Sequence, residues 1–497
     1  VDSVQPGNAR SGPPANGSRV PSSSTGSSST ASSSTASSAV TAELIIPAPA
    51  ASTGAVTGSH FGTPCIVMVV RCVIDAAISM RAAARVRGVV ELLDDGCQDD
   101  APSHTTVQNF LLRIGLWQLQ RARPIRNDRI WIVDHTHSVG TLKVLIILSI
   151  NQADFEQLRR PLRHHDVEVL ALLPVEQSNG AIVHSQFNDL AARVGVPRAV
   201  LSDHGSDLNK GVRLFQEDHP EVVSLYDIVH LTSRKIEKVL ARDSQWGEFR
   251  KACCECANAV RQSPVAHLKP PRPKTKARYM NIAREVRWGA RALFLLDRVR
   301  SDSLTDRQRK RLPLELVESR FGWLDDYRDA LNRWEPLTQT GRRVITEIRR
   351  HGYGPASMSA LSSVASSVPE GPCRELVEQI TQAVQPTSEA SSVHGRLPGS
   401  SEVMESLIGK GKRLLSGRSQ GTPQSLTRQL LAMVTSTVEI TPEVVRSALS
   451  HCSIKNLRTW CATHFPPSLQ VLGRTDLTPT PTEQKLRKPK PTATPNF

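Results

Sequence analysis

Two apolar runs separated by a polar turn constrain this chain more than any other feature. Ile130-Trp131-Ile132-Val133 ends in Asp134, a polar stretch with a glycine runs from His135 to Gly140, and a longer apolar run occupies 142–150. Short runs of β-branched and aromatic residues predict two buried strands joined by a tight turn. The pattern also predicts a carboxylate where the first strand stops. A strand end fixes its backbone and faces a cleft, which suits metal chemistry. Taken alone, Asp134 reads first as an ordinary surface turn aspartate.

A chain of 497 residues is long enough for two or more domains with real cores. Its net charge of +15 makes a polyanion the first partner to consider. The longest strongly apolar run, 144–150, is far too short to span a bilayer, and no secretory signal stands at the N-terminus. Val1 in place of Met is compatible with a non-standard start or with a fragment. The nine cysteines show no framework spacing, which points to a reducing, cytoplasmic compartment. Cys253, Cys254 and Cys256 lack a second pair at zinc-finger spacing and read as helix-packing residues, as do Cys452 and Cys461.

Residues 1–58 are dominated by Ser, Thr, Gly, Pro and Ala and read as a disordered leader. Residues 59–122 carry three predicted helices, at 65–78, 80–93 and 104–120, with Ser79 and Ser103 as N-caps and an acidic turn at 96–101. The third helix starts polar and continues apolar. That fits a helix-turn-helix reading the DNA major groove with Ser103, Thr105, Thr106, Gln108, Asn109 and Arg113, although three small helices also occur as plain packing.

From 124 to 228 strands and helices alternate. Strands are expected at 129–134, 142–151, 167–174, 199–203 and 222–227, and helices at 181–194 and 207–218. The first three strands are close enough for an antiparallel meander, while helix-linked strands imply parallel pairing. The fourth strand ends in Asp203, followed by His204-Gly205-Ser206-Asp207. Gly205 is expected to make a sharp turn and Ser206 to cap the next helix. Asp203 would then lie beside Asp134, and two such carboxylates repel unless a cation sits between them. Asp207 reads as a helix-start acid.

Residues 228–390 read as helical. The stretch 231–300 holds 17 Lys/Arg against 6 Asp/Glu, with aromatics interspersed. Basic helices with aromatics suit nucleic-acid backbone tracking with stacking platforms, though each tryptophan by itself reads first as helix core. A helix at 402–416 places Glu405, Gly409 and Lys412 on one face. Helices are expected at 424–436, 441–451 and 455–464, and a disordered basic tail at 476–497.

WIVDHT, VLSDHGSDL and EVMESLIGKGK, with YDIVHL after the second acid, resemble the D…D…E signature of the DDE transposases of bacterial insertion sequences. The resemblance covers roughly residues 107–416, with a long gap between Asp203 and Glu405. It implies an α/β fold: a ribonuclease H-like mixed sheet with a large all-α insertion, an N-terminal helix-turn-helix and disordered termini. The implied boundaries are 123–230 for the first part of the catalytic core, 231–395 for the basic insertion and 396–475 for the closing helices. Carried over, Asp134, Asp203 and Glu405 are the metal ligands, Lys412 pairs with a substrate phosphate and His230 supports the acids. Glu402 competes for the third position. Some insertion-sequence groups carry Tyr and Arg upstream of this glutamate; here those spacings fall on Pro398 and Ser401, so that arginine's role does not transfer.

The resemblance further implies two Mg²⁺ or Mn²⁺ ions, double-stranded DNA with terminal inverted repeats and target DNA as partners, and a homodimer in the synaptic complex. Water attack would free a 3′-hydroxyl, which would then attack target DNA. Trp288 would stack a flipped base if cleavage passes through a hairpin. Two other readings stand beside this one: a transposase-derived DNA-binding protein without activity, and a nuclease of the same fold.

Overall fold

The structure is a computed structural model and describes Val56 and residues 59–91, 101–139, 142–271, 278–301, 303–414 and 423–465. The leader at 1–58 falls almost wholly outside these residues, and the basic tail at 476–497 entirely so. Most of the acidic turn at 96–101 lies outside them too.

Helices α1 (Thr63–Ile74), α2 (Met80–Glu91) and α3 (His104–Gln120) precede the sheet. Strands β1 (Arg129–Val139), β2 (Leu142–Asn151) and β3 (Glu168–Val175) follow, with helix α4 (Gln152–Gln157) before β3. Helices α5 (Gly180–Val194) and α6 (Ser206–Asp218) alternate with β4 (Ala199–Ser202) and β5 (Val223–Tyr226). A long helical stretch comprises α7 (Ile228–Leu240), α8 (Ser244–Ala259), α9 (Arg278–Arg300), α10 (Asp306–Arg311), α11 (Leu314–Phe321), α12 (Arg328–His351), α13 (Pro355–Ser367) and α14 (Pro372–His394). Helices α15 (Glu402–Leu414), α16 (Pro423–Thr435), α17 (Pro442–His451) and α18 (Ile454–His464) close the described chain. Among the described residues no helix is long and apolar enough to cross a membrane.

The five strands form one mixed sheet in the order β3-β2-β1-β4-β5. β1, β2 and β3 pair antiparallel, whereas β1, β4 and β5 pair parallel. Side chains alternate between faces along each strand. Trp131, Val133, Leu145, Ile147 and Val200 meet α5 and α6 on one face, where the rings of Trp131, Phe187 and Phe215 lie 5.5–6.0 Å apart. Ile130, Ile132, Ile146, Leu201 and Leu225 face the other way, into the larger core shared with the remaining helices.

Two local expectations change. β1 does not stop at Asp134, because its hairpin with β2 continues through the pairs Asp134↔Ile146 to His137↔Lys143. What stops there is the pairing with β4, last seen at Ile132↔Leu201. The turn after Asp203 also differs. Gly205 has φ −51° and is the N-cap of α6, so Ser206 is the first helical residue rather than the cap. The left-handed residue is His204, at φ +54°.

Helix α3 is a core element. Residues 110–116 are buried all round, which marks an internal helix rather than one lying on a surface. Gly115 lets α16 approach so closely that a Cβ there would sit 2.3 Å from the Leu431 carbonyl oxygen. Arg113 is 4 % exposed and its guanidinium donates to the carbonyls of Cys452 (2.5 Å) and Leu449 (2.7 Å). Arg113 therefore ties α3 to α17 and leaves the set of groups able to reach a base edge. The helices before the sheet and those after α15 share one core.

Candidate active site

Alternation along the strands decides where the first two acids point. Ile132 and Leu201 are direct partners in the β1/β4 pair and share the large-core face. Asp134 lies two residues further on in β1, and Asp203 lies two residues beyond Leu201, just past the end of β4, so alternation carries both toward that face from strands roughly 4.8 Å apart. Asp134 accepts a hydrogen bond from its neighbour's main chain, His135 N–H to Oδ1 at 2.6 Å. Asp203 Oδ1 accepts from Gly205 N–H at 2.8 Å. A Cβ on Gly205 would stand 3.2 Å from Asp203 Oδ1, so the glycine makes room for that carboxylate rather than supplying an unusual φ.

Asp134 keeps partial exposure, yet its carboxyl is crowded by protein and pushed up to about 7. Burial is the largest cause, and the negative charge of Asp203 adds to it, as does Glu405 more weakly. The His135 N–H bond and the His230 charge oppose the rise. Asp203, His230 and Glu405 thus all act electrostatically on the Asp134 carboxyl.

His230 and Glu405 come from α7 and α15. His230 Nε2 lies 3.7 Å from Glu405 Oε1. Burial works to lower the His230 imidazole, but Glu405, Asp227 and Asp203 outweigh it and the net direction is upward. The two helices are clasped by Asp227, which is buried. Its Oδ1 caps α7 by accepting from His230 N–H at 2.9 Å. Its Oδ2 accepts from Ser401 N–H at 2.5 Å and from Ser401 Oγ at 2.8 Å, at the start of α15. Ile228 N–H donates to Gly399 O at 2.9 Å beside it. Sequence reasoning named Asp227 only within YDIVHL and missed the clasp, because its second half lies 174 positions away.

Glu402, the competitor on α15, is ion-paired with Arg349 of α12. Lys412 is exposed two turns beyond Glu405. Asp207 pairs with Lys143 at 3.3 Å, with His135 Nδ1 at 3.7 Å. A cleft of about 660 Å³ runs alongside Glu405, lined by Arg160, Arg163, His164, Arg349 and Glu402 among others.

Among the described residues no three His, Cys, Asp or Glu side chains are grouped tightly enough to hold a metal ion as they stand. The donor chemistry does suit a hard cation: the crowded acids are all-oxygen donors, and Asp203 raises Asp134 by repulsion that a cation would relieve.

The remaining expected residues fall in two places. Ser103 caps α3, accepting from Thr106 N–H at 3.2 Å. Thr105 is exposed, and Thr106, Gln108 and Asn109 are half-buried on the first turns of that helix. Trp288, on α9, donates its Nε1–H to Leu268 O at 2.8 Å and stacks on Trp323 at 6.3 Å. Its polar edge and one ring face are thus engaged within the helical region.

Fold and site together define a mixed α/β protein with a crowded acidic group at the junction of two parallel strands and two later helices. No protein-family profile matches the chain, and no curated protein matches its sequence. Among solved structures it is similar to the Drosophila P element transposase strand transfer complex, at 10 % identity and a TM-score of 0.37, over 77 % of this chain and 93 % of that one.

Proposed function

We propose that this protein is a DDE-type DNA transposase: a ribonuclease H-like catalytic core, divided by the helices α7–α14, that cleaves DNA at element ends and joins the ends to target DNA. The observation that carries the reading is that Asp203 and Glu405, from distant stretches, both act on the Asp134 carboxyl, which burial and their charge push up to about 7. The sheet order supports it too: an antiparallel meander, β1 to β3, is extended beyond β1 by the parallel strands β4 and β5, in keeping with the meander and the helix-linked strands expected from the sequence.

Asp134, Asp203 and Glu405 would hold divalent cations, Mg²⁺ or Mn²⁺. When bound, such ions supply charge neutralisation and Lewis acidity at a phosphodiester. The chain's own contributions follow from its geometry. Main-chain N–H groups of His135 and Gly205 orient the first two carboxylates. His230 holds Glu405 until it exchanges that partner, and Asp227 keeps the two helices in place while it does so. Glu402 is the weaker third ligand because Arg349 already pairs with it. Lys412, two turns beyond Glu405, would meet a substrate phosphate. The net charge of +15 and the polar first turn of α3 suit a DNA partner.

The test is a strand-transfer assay with DNA ends taken from inverted repeats flanking the reading frame. Mg²⁺-dependent joining by the wild type, abolished in Asp134→Asn and Asp203→Asn with DNA binding retained, is the expected result. Cleavage without joining would point to a nuclease. Binding without either would point to an inactive derivative.

A further inference from the structure

Helix α9 carries one face that its own fold leaves uncovered. Its inward stripe is Ile282, Val286, Gly289, Leu293 and Leu296, all buried, and Gly289 packs against Leu331 and Phe249. About 200° round the helix lies a second stripe at alternating steps of three and four: Arg284, Arg287, Arg291, Phe294 and Arg298. Arg284 and Arg291 are exposed, and Phe294 is 65 % exposed, a large cost for an aromatic ring in water.

Nothing on the helix neutralises this stripe. The two acids of α9 belong elsewhere: Glu285 is buried against Arg250, and Asp297 is held bidentately by Arg328. Among the described residues Arg284, Arg287 and Arg291 meet no carboxylate, and Arg298 donates to the Ser303 carbonyl while keeping its charge. Arg300, two residues beyond Arg298 and so off the stripe, is paired with Glu318 and Asp325. The cations left unpaired are therefore those in line with Phe294.

We propose that this stripe is a nucleic-acid binding site for a DNA strand with an unpaired base. The arginines would take successive phosphates, and Phe294 would stack on the base. From 284 to 298 the stripe is about 21 Å long, roughly six nucleotides at 3.4 Å per step. A bare aromatic flanked by arginines suits a base with an exposed π-face and charged phosphates on either side. A second copy of this chain would bring the same positive stripe against itself, which charge opposes. The proposal shares with the proposed function the handling of DNA but is independent of the carboxylates.

The experiment uses the full chain in EDTA, so that loss of cleavage chemistry does not enter. The probe is duplex DNA with a short single-stranded tail carrying 2-aminopurine at its first unpaired position. Wild type should quench the probe. Phe294→Ala should lose the quench and bind about tenfold more weakly, with Phe294→Tyr retaining both. Arg284→Ala and Arg291→Ala should each lower the slope of log Kobs against log[salt] by about 1. Unchanged quench and slope would overturn the proposal, as would a Phe294-dependent dimer in sedimentation without DNA. Intact quenching by a protein that fails to join ends would sink the proposed catalytic function alone.

Discussion

Asp134 is the residue on which the catalytic account turns. In metal-free protein its folded carboxyl keeps its proton up to about 7, whereas an unfolded aspartate releases it near 3.8. The folded state therefore binds more protons between those values, and stability falls as pH rises through that window. Asp134→Asn removes the slope. In EDTA it should be more stable than wild type at pH 8, by at most on the order of 4 kcal/mol given the water that reaches the group, and the gap should close toward pH 4. Chemical denaturation across that range checks it; parallel pH curves for the two proteins would contradict it. A second residue-scale prediction concerns Gly205. Gly205→Ala would press a methyl against Asp203 Oδ1, now 3.2 Å from where the Cβ would fall. It should weaken Mn²⁺ affinity with thermal stability nearly unchanged, read by calorimetry.

At the scale of elements, the α7/α15 clasp decides whether the late glutamate reaches the sheet. Asp227→Asn turns an acceptor of three donors into a group with one carbonyl oxygen and an amide that faces Ser401's donors. We expect a loss of about 2–3 kcal/mol in urea denaturation and weaker Mn²⁺ binding. Elements were also where the sequence was most legible. The strands and helices could be placed because short continuous apolar runs and capped helices carry local signals, as with Ser79 and Ser103. β1 was read too short because His135, Thr136 and His137 look like turn residues, whereas the hairpin runs on through them, with Thr136 buried and His135 held beside Asp207. The clasp was not legible, since no local rule couples Asp227 to Ser401.

At the scale of the whole molecule, the N-terminal helices depend on the C-terminal ones. The run FLLRIGL within α3 is apolar apart from Arg113 and spans every side of the helix, which signals an internal helix; the polar residues ahead of it drew the reading toward a free recognition helix. Arg113 and Gly115 make sense only with α16 and α17 present. Gly115→Ala should cost about 1–3 kcal/mol through overpacking. A chain ending at residue 422 should lose protection of α1–α3 in hydrogen exchange; unchanged protection would mean the N-terminal helices fold alone. The site shows the same dependence, because its acids come from two strands and a helix separated by the whole helical stretch α7–α14.

The central claim is that Asp134, Asp203 and Glu405 serve one metal site. Titration of Mn²⁺ into the full chain, followed by electron paramagnetic resonance, tests it without any assumption about DNA. Wild type and Glu402→Gln should bind Mn²⁺ alike, while Asp134→Asn, Asp203→Asn and Glu405→Gln should each weaken binding at least tenfold. Loss in Glu402→Gln with retention in Glu405→Gln would move the third ligand, and wild-type binding by all three carboxylate variants would contradict the claim.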